Sequence, residues 1–470
     1  MSGELGNRSW FRDIQCFEGT APTPTTLEEV QAILRDRQRF PSPLRPMGSR
    51  HSMTACMSAQ VPGSPGRWGT AIDMSRFKGE IRVDKEAMTA TLPAGLTFFE
   101  AAHELRRRHG VQFRVNTELG TLTMGAAACG ATKDSSFPGE PGQVCHDVVA
   151  MRLVKPDGEV VVMREGEADF DALRCSYGLF GVVTELTFRV APHENISIRH
   201  EELEVGEFEQ RRHQWMADGQ AVFLYLFPYA RPPRIVAELR GKGASEPASD
   251  FCLRLAARNF FWGKGLHLVA DLVQHLPEPL AAVVGEAPQK IVREFLKMVD
   301  IRAVSPVDQI VDFAADPALL QGPDRFTFSM WAFPTAREGR KPFAQVLEEY
   351  FAFCRSPQAH GFRTVLPHVS YHISKDQSSM LSYSHDSDVW TLDPIASGKE
   401  PGWEPFLRAF NERCCDDWRG VPLFNQTPLL TRNHVVRAFG ERLVKFEAVR
   451  RRFDPEDRML NQYFKTLLQG

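Results

Sequence analysis

Several signals that assign a chain to a class at once are missing from this sequence. No basic run stands out, and the 470-residue chain has a formal net charge of only −3. That balance gives no electrostatic footprint for nucleic acid. No segment offers the roughly twenty uninterrupted apolar residues that span a bilayer. Residues 1–20 carry Glu4, Arg8, Arg12, Asp13 and Glu18 and no apolar run, so no secretory signal is visible. These absences predict a cytoplasmic protein with no transmembrane segment. Gly-x-Gly-x-x-Gly, Walker A and Gly-x-Ser-x-Gly patterns are all lacking. His103-Glu104 and His109 look like a zinc pair, but a six-residue spacing puts them on different helix faces, which argues against a metal. The 9 cysteines are odd in number and scattered, and Cys414 and Cys415 are adjacent. They read as free thiols of a reducing compartment, not as a disulfide framework.

What is present is the make-up of a large globular protein, 43% hydrophobic and 24% charged, long enough for two domains. Its 33 Phe and 8 Trp suit a big core or an apolar ligand pocket. Two stretches suggest chemistry. Arg45-Pro46-Met47-Gly48-Ser49-Arg50-His51-Ser52 sets a rigid proline before a glycine, small polar residues and a histidine. Successive N–H groups in such a turn can form an anion-binding nest, with His51 beside whatever the anion carries. A run from Gly120 to Thr132 is almost all small, with Gly120, Thr121, Thr123, Gly125, Ala126, Gly130 and Thr132 as candidate contacts. Small side chains let backbone approach a bulky ligand, though tight packing of a buried element explains the run equally.

The pair of stretches resembles the FAD-binding domain of the vanillyl-alcohol oxidase superfamily (the PCMH-type fold), nearest to its aldonolactone and alditol oxidase branch. The likeness runs over roughly residues 20–190 and the last forty or so, where Arg451-Arg452-Phe453-Asp454-Pro455 to Asn461-Gln462-Tyr463-Phe464 is similar to the family's closing signature. It implies FAD, often joined covalently to the histidine at the position of His51, and flavin contacts from the backbone of Gly181-Val182-Val183-Thr184. It implies an α+β fold in which a two-part FAD-binding domain (1–193) is followed by an α+β substrate or cap domain (194–424). A C-terminal segment (425–470) then returns to the flavin site.

Local signals agree. Thr26 with Glu29, and Thr97 with Glu100, read as capping boxes that open helices, the first with an apolar face of Leu27, Val30, Ile33 and Leu34. The second ends at Gly110 behind Arg106, Arg107 and Arg108. Strands are expected at 70–74, 81–84, 88–92, 148–154, 160–163 and 180–190, then at 222–225, 235–239, 326–333 and 365–373. Residues 251–300 have helical tendency through Phe251, Leu255, Phe260, Leu266, Val269, Leu272, Val273 and Leu276, interrupted at Pro277, Pro279 and Pro288. Core packing explains that apolar content as well as a membrane-surface or partner contact does. A further helix is expected at 343–354.

The substrate half departs from the family. Where lactone oxidases carry Glu-x-Arg on a strand, this chain has Pro367-His368-Val369-Ser370-Tyr371-His372; where they carry His-Trp-Gly-Lys, it has Leu423-Phe424-Asn425-Gln426. The charges that grip a polyol are expected to be mostly absent, with Trp331, Phe333, Phe424 and Tyr371 offering apolar surface instead. Catalytic candidates are therefore His368, Tyr371, His372 and Gln426. On an alternating strand either both histidines face the pocket or Tyr371 does. The expected reaction is hydride transfer to flavin from a C–H next to O or N of a small-molecule substrate, a weakly polar alcohol in preference to a sugar lactone, with molecular oxygen as acceptor if it is an oxidase. A cyclase or rearrangement flavoenzyme, an aldonolactone or alditol oxidase proper, and a flavin binder without turnover are the alternatives.

Overall fold

Both capping boxes form. In this computed structural model Thr26 accepts from the Glu29 N–H and opens the helix Leu27–Arg35, which buries Val30, Ile33 and Leu34. Thr97 does the same for Phe98–Glu104. That helix continues as a wider turn over Leu105–His109 and stops at Gly110, whose φ of 68° suits a residue without Cβ. The structure describes residues 6–244, 253–260, 264–266, 268, 286–311, 326–335, 339–398 and 400–469.

The first sheet is six-stranded and antiparallel, in the order Arg82–Asp84, Thr89–Pro93, Val182–Pro192, Val148–Val154, Val160–Arg164, with Val111–Phe113 paired to Val182–Pro192 off that path. Beside it lies a separate parallel pair, Leu44–Met47 with Thr70–Asp73. One core joins this sheet to the C-terminal helices through Phe180, Phe188, Val435, Phe446 and Phe464.

The second sheet is eight-stranded: Ile301–Val304, Ile196–Glu204, Arg234–Lys242, Ala221–Phe227, His368–Ile373, Val389–Leu392, Trp331–Pro334, Val421–Pro422. The helices Phe208–Ala217, Phe343–Cys354 and Trp403–Asp416 cover one face with an aromatic core that includes Trp331, Phe333, Tyr350 and Trp390. The other face carries Phe223, Tyr225 and Val369.

Two expectations change. The strand expected over 326–333 is two pieces, Thr327–Phe328 on Ile395–Ala396 and Trp331–Pro334 in the second sheet, because Met330 between them is held by Thr427 and by the Gln426 carbonyl. Pro288 sits in the first turn of the described helix Glu286–Met298, where a missing N–H breaks no intrahelical bond, so it does not separate helices. Phe251, Val269, Leu272, Val273, Leu276, Pro277 and Pro279 lie outside the described residues. Among the described residues no helix is long and apolar enough to cross a membrane, and the cysteines are buried free thiols.

Candidate functional site

The strand Leu44–Met47 delivers Gly48–Ser52 to the edge of a cavity of about 360 Å³ between the two sheets. Arg45 fixes the approach. It is buried, and its guanidinium donates to the carbonyls of Met459 (2.8 Å), Cys56 (2.8 Å), Gly178 (3.3 Å) and Tyr177. Burial lowers its pKa to about 10, partly offset by the nearby Asp454, so the cation survives near neutrality. Asn461 donates to the carbonyls of Ala55 (3.1 Å), Cys56 (3.2 Å) and Ser58 (2.6 Å), and Asp454 accepts from the N–H groups of Arg458 and Met459. The closing signature is thus the clasp that holds the first loop.

In that loop Arg50 has φ of 62°, unusual for a residue with a side chain. Its carbonyl accepts from the Trp10 N–H at 2.9 Å and its guanidinium donates to the Gly6 carbonyl at 2.7 Å. The N–H groups of Ser49, Arg50 and Ser52 donate to nothing among the described residues. A left-handed residue within a run of unspent N–H donors is the geometry of an anion nest, and it fits a dinucleotide diphosphate. His51 lines the same cavity. Its Nε2 is 2.8 Å from Thr121 Oγ1, and the Trp10 ring packs on it at 4.3 Å.

The small-residue run becomes a turn and the short helix Met124–Cys129. Gly48, in the first loop, and Gly125, in this run, serve close packing. A Cβ on Gly48 would fall 2.0 Å from Thr123 Oγ1, and one on Gly125 would fall 3.1 Å from the Ala94 Cβ. Gly125 lines the cavity, and its missing side chain also makes room for Ala94.

Gly48, Ser49, Arg50, His51, Ser52, Thr123, Gly125, Ala126, Gly130, Thr132, Gly181, Val183, Tyr371 and Gln426 line this one cavity. Gly120 and Thr121 do not. Gly120 packs against Phe99, Ile310 and Val311, and Thr121 stands behind His51.

His368 and His372 are corrections too. Tyr371 pairs with Phe223 in register, so Val369 and Tyr371 face the cavity while 368, 370 and 372 face the helices. There His368 Nδ1 meets the Tyr350 hydroxyl at 2.5 Å, and desolvation holds its pKa down to about 3. His372 packs edge-on against Trp390, with Nε2 3.6 Å from Asp388. Trp331 and Phe333 lie in that same core and Phe424 in the first; the cavity's aromatic wall is Phe223, Tyr371, Phe326 and Phe328.

Nor is the cavity short of charge. Lys133, Asp134, Glu118, Arg258 and Asp393 also line it. Lys133 Nζ donates to Gln426 Oε1 at 3.2 Å, lies 3.4 Å from Asp393 Oδ2 and stands 4.6 Å from the centre of the Tyr371 ring. Arg240 donates to Asp134 (2.8 and 2.9 Å), Glu118 (3.0 Å) and Glu238 (2.8 Å), tying the second sheet to the loops at Glu118 and Asp134. Burial raises both Asp134 and Asp393 to about 6. Sequence reasoning missed Trp10, Lys133 and Asp393. The only hint was that Lys133-Asp134 follows the small-residue run directly and Asp393-Pro394 ends a strand.

Residues 22–164 match the model of a family described as an FAD binding domain. An L-gulono-1,4-lactone dehydrogenase of Mycobacterium tuberculosis is 24% identical over 465 residues, 98% of each chain. Among solved structures, cholesterol oxidase from B. sterolicum superposes with a TM-score of 0.70 at 15% identity, covering 99% of this chain and 96% of that one. A xylooligosaccharide oxidase from Myceliophthora thermophila gives 0.67 at 12%, over 98% and 94%. With its match to an FAD binding domain, its similarity along the whole length to a lactone dehydrogenase and a fold shared with solved oxidases, the chain is an FAD-dependent oxidoreductase.

Proposed function

We propose that this protein oxidises a CH–OH group on a substrate with one polar end and an apolar body, using FAD held covalently through His51. The observation that carries the reading is the cavity itself, which runs from the Gly48–Ser52 nest to a wall of Phe223, Val369, Tyr371 and Ile395. When bound, the flavin supplies a two-electron acceptor for the substrate hydride. The chain's own residues do the rest. The nest and Gly181 cradle the diphosphate end, Thr121 fixes the imidazole plane of His51, and the aromatic wall excludes water. Residues 1–193 hold the cofactor in this reading, 194–424 carry the substrate wall, and 425–470 lock the loop that bears His51.

The substrate assignment rests on balance. Each polyol hydroxyl left without a partner costs about 1–3 kcal/mol, while apolar surface buried against the wall contributes about 25 cal/mol per Å². A second reading, a sugar lactone or alditol as substrate, is favoured by the full-length lactone dehydrogenase relative and by Glu118, Asp134 and Arg258 at the cavity. Anaerobic bleaching of the flavin decides between them, with L-gulono-1,4-lactone and xylitol on one side and benzyl alcohol and cyclohexanol on the other. Bleaching by the aromatic or alicyclic alcohols supports the first reading. Bleaching by the sugar compounds alone overturns it in favour of the second. Reoxidation by dissolved oxygen distinguishes oxidase from dehydrogenase.

A further inference from the structure

Lys133 and Asp393 face the cavity beside Tyr371 from positions to which the family resemblance assigns nothing. Both side chains are nearly buried, 6% and 3% exposed. Asp393 is fixed by hydrogen bonds in both directions with Val369, from its own N–H at 2.9 Å and to its own carbonyl at 3.0 Å. Its Oδ2 faces Lys133, and its Oδ1 is buried without a hydrogen-bond partner among the described residues. A buried acceptor left unmet on a cavity wall is where a donor from a ligand belongs. Lys133 also donates to Gln426 Oε1 at 3.2 Å, so its ammonium is held between Gln426 and Asp393.

We propose that Asp393 is the catalytic base of this oxidation. Lys133, whose Nζ lies 3.4 Å from Asp393 Oδ2, is its positioning residue. The proposal rests on the alcohol-oxidising reading above. With FAD bound, the Asp393 carboxylate would take the substrate O–H proton while the flavin would supply the two-electron acceptor for the C–H hydride. The CH–OH becomes C=O, and Asp393 gives its proton to water once product has left. Asp393 is faced by Lys133 and the Thr391 hydroxyl, with Tyr371 on the neighbouring strand. The nearby charged groups Glu118, Asp134, Glu238, Arg240 and Arg258 pair among themselves, and Asp134 also acts on Lys133, whose ion-pair partner is Asp393. With its pKa near 6 the carboxyl is ionised at neutral pH and close enough to that range to accept a proton in the reaction.

The test uses the holoenzyme, anaerobic flavin bleaching by L-gulono-1,4-lactone and by benzyl alcohol, and the flavin content of each variant. Asp393→Asn is expected to keep its flavin and to bleach about 10²–10⁴-fold more slowly, without the rise in rate that the wild type shows as pH increases through about 6. Lys133→Met should move that rise to higher pH, since the cation stabilises the carboxylate, and Lys133→Met with Gln426→Lys should move it back. Urea unfolding adds a readout independent of turnover. A carboxyl with a raised folded pKa binds more protons folded than unfolded, so the wild type should lose stability as pH rises toward and through about 6, and Asp393→Asn should lose less. A flavin-loaded Asp393→Asn that bleaches within about threefold of wild type overturns the proposal and leaves the oxidation reading standing. An unshifted profile in Lys133→Met removes the role of Lys133 even if the Asp393 variant fails to load flavin. A wild type that neither probe bleaches overturns both readings.

Discussion

Replacing His368 by phenylalanine should destabilise the protein less as pH falls. The imidazole lies inside the second sheet's aromatic core, between Tyr350, Tyr229 and Phe362, and desolvation holds its pKa near 3 against 6.5 for a free histidine. A folded pKa that is depressed means the unfolded chain binds the extra proton, so the stability from keeping His368 neutral is present above about 6.5 and lost as pH falls. From about pH 7.5 to about pH 5 that loss is about 2 kcal/mol. The Phe variant has no such titration, but it leaves the Tyr350 hydroxyl without its 2.5 Å partner, which costs about 1–3 kcal/mol at any pH. The variant should therefore be the weaker protein near pH 7.5, with the gap closing by about 2 kcal/mol near pH 5. Asp134, Asp147 and Asp393, all raised to about 6, slope the other way in both proteins, so the difference between the two isolates His368. Urea unfolding followed by tryptophan fluorescence reads this core directly, since Trp331, Trp390 and Trp418 sit in it. A gap that stays constant between the two pH values would refute the buried neutral imidazole. A flavin bleaching rate lowered by more than about tenfold would refute its placement away from the reaction.

Three other outcomes follow from the cofactor half. Wild-type protein precipitated with acid should keep its flavin in the pellet and His51→Ala should release it; a colourless wild-type pellet rules out the covalent bond while leaving FAD binding intact. Gly125→Val should lower stability by about 1–3 kcal/mol through its clash with Ala94 and reduce flavin content with it, whereas unchanged melting would show that the helix Met124–Cys129 has slack that the 3.1 Å approach denies. Asn461→Ala strips the donor that holds the carbonyls of Ala55, Cys56 and Ser58 and should cost about 1–3 kcal/mol. Faster flavin loss on dilution in that variant would tie the clasp to the cofactor; loss at the wild-type rate would make it a matter of stability alone.

What could be read in advance follows from how far each interaction reaches. The capping boxes at Thr26 and Thr97 and the adjacent strands expected at 148–154 and 160–163 close within a few residues, and all form where local rules put them. The strand His368–Ile373 defeats the same approach. Helices cover one of its faces and the cavity wall lies on the other, so nearly every position is buried, and alternation cannot say which face holds the chemistry. Only its register with Phe223 decides that, and the register depends on a strand far away in the sequence. The charged end of the cavity shows the limit more sharply. Reading along the expected strand, one finds the family's Glu-x-Arg gone and infers an apolar pocket. In three dimensions Lys133 arrives from the cofactor domain and Asp393 from the turn after Val389–Leu392, and they meet beside Gln426. A cavity constrains which charge stands at a point in space and not which strand brings it there. A motif absent at its usual position in the sequence is therefore weak grounds for calling its chemistry absent from the site.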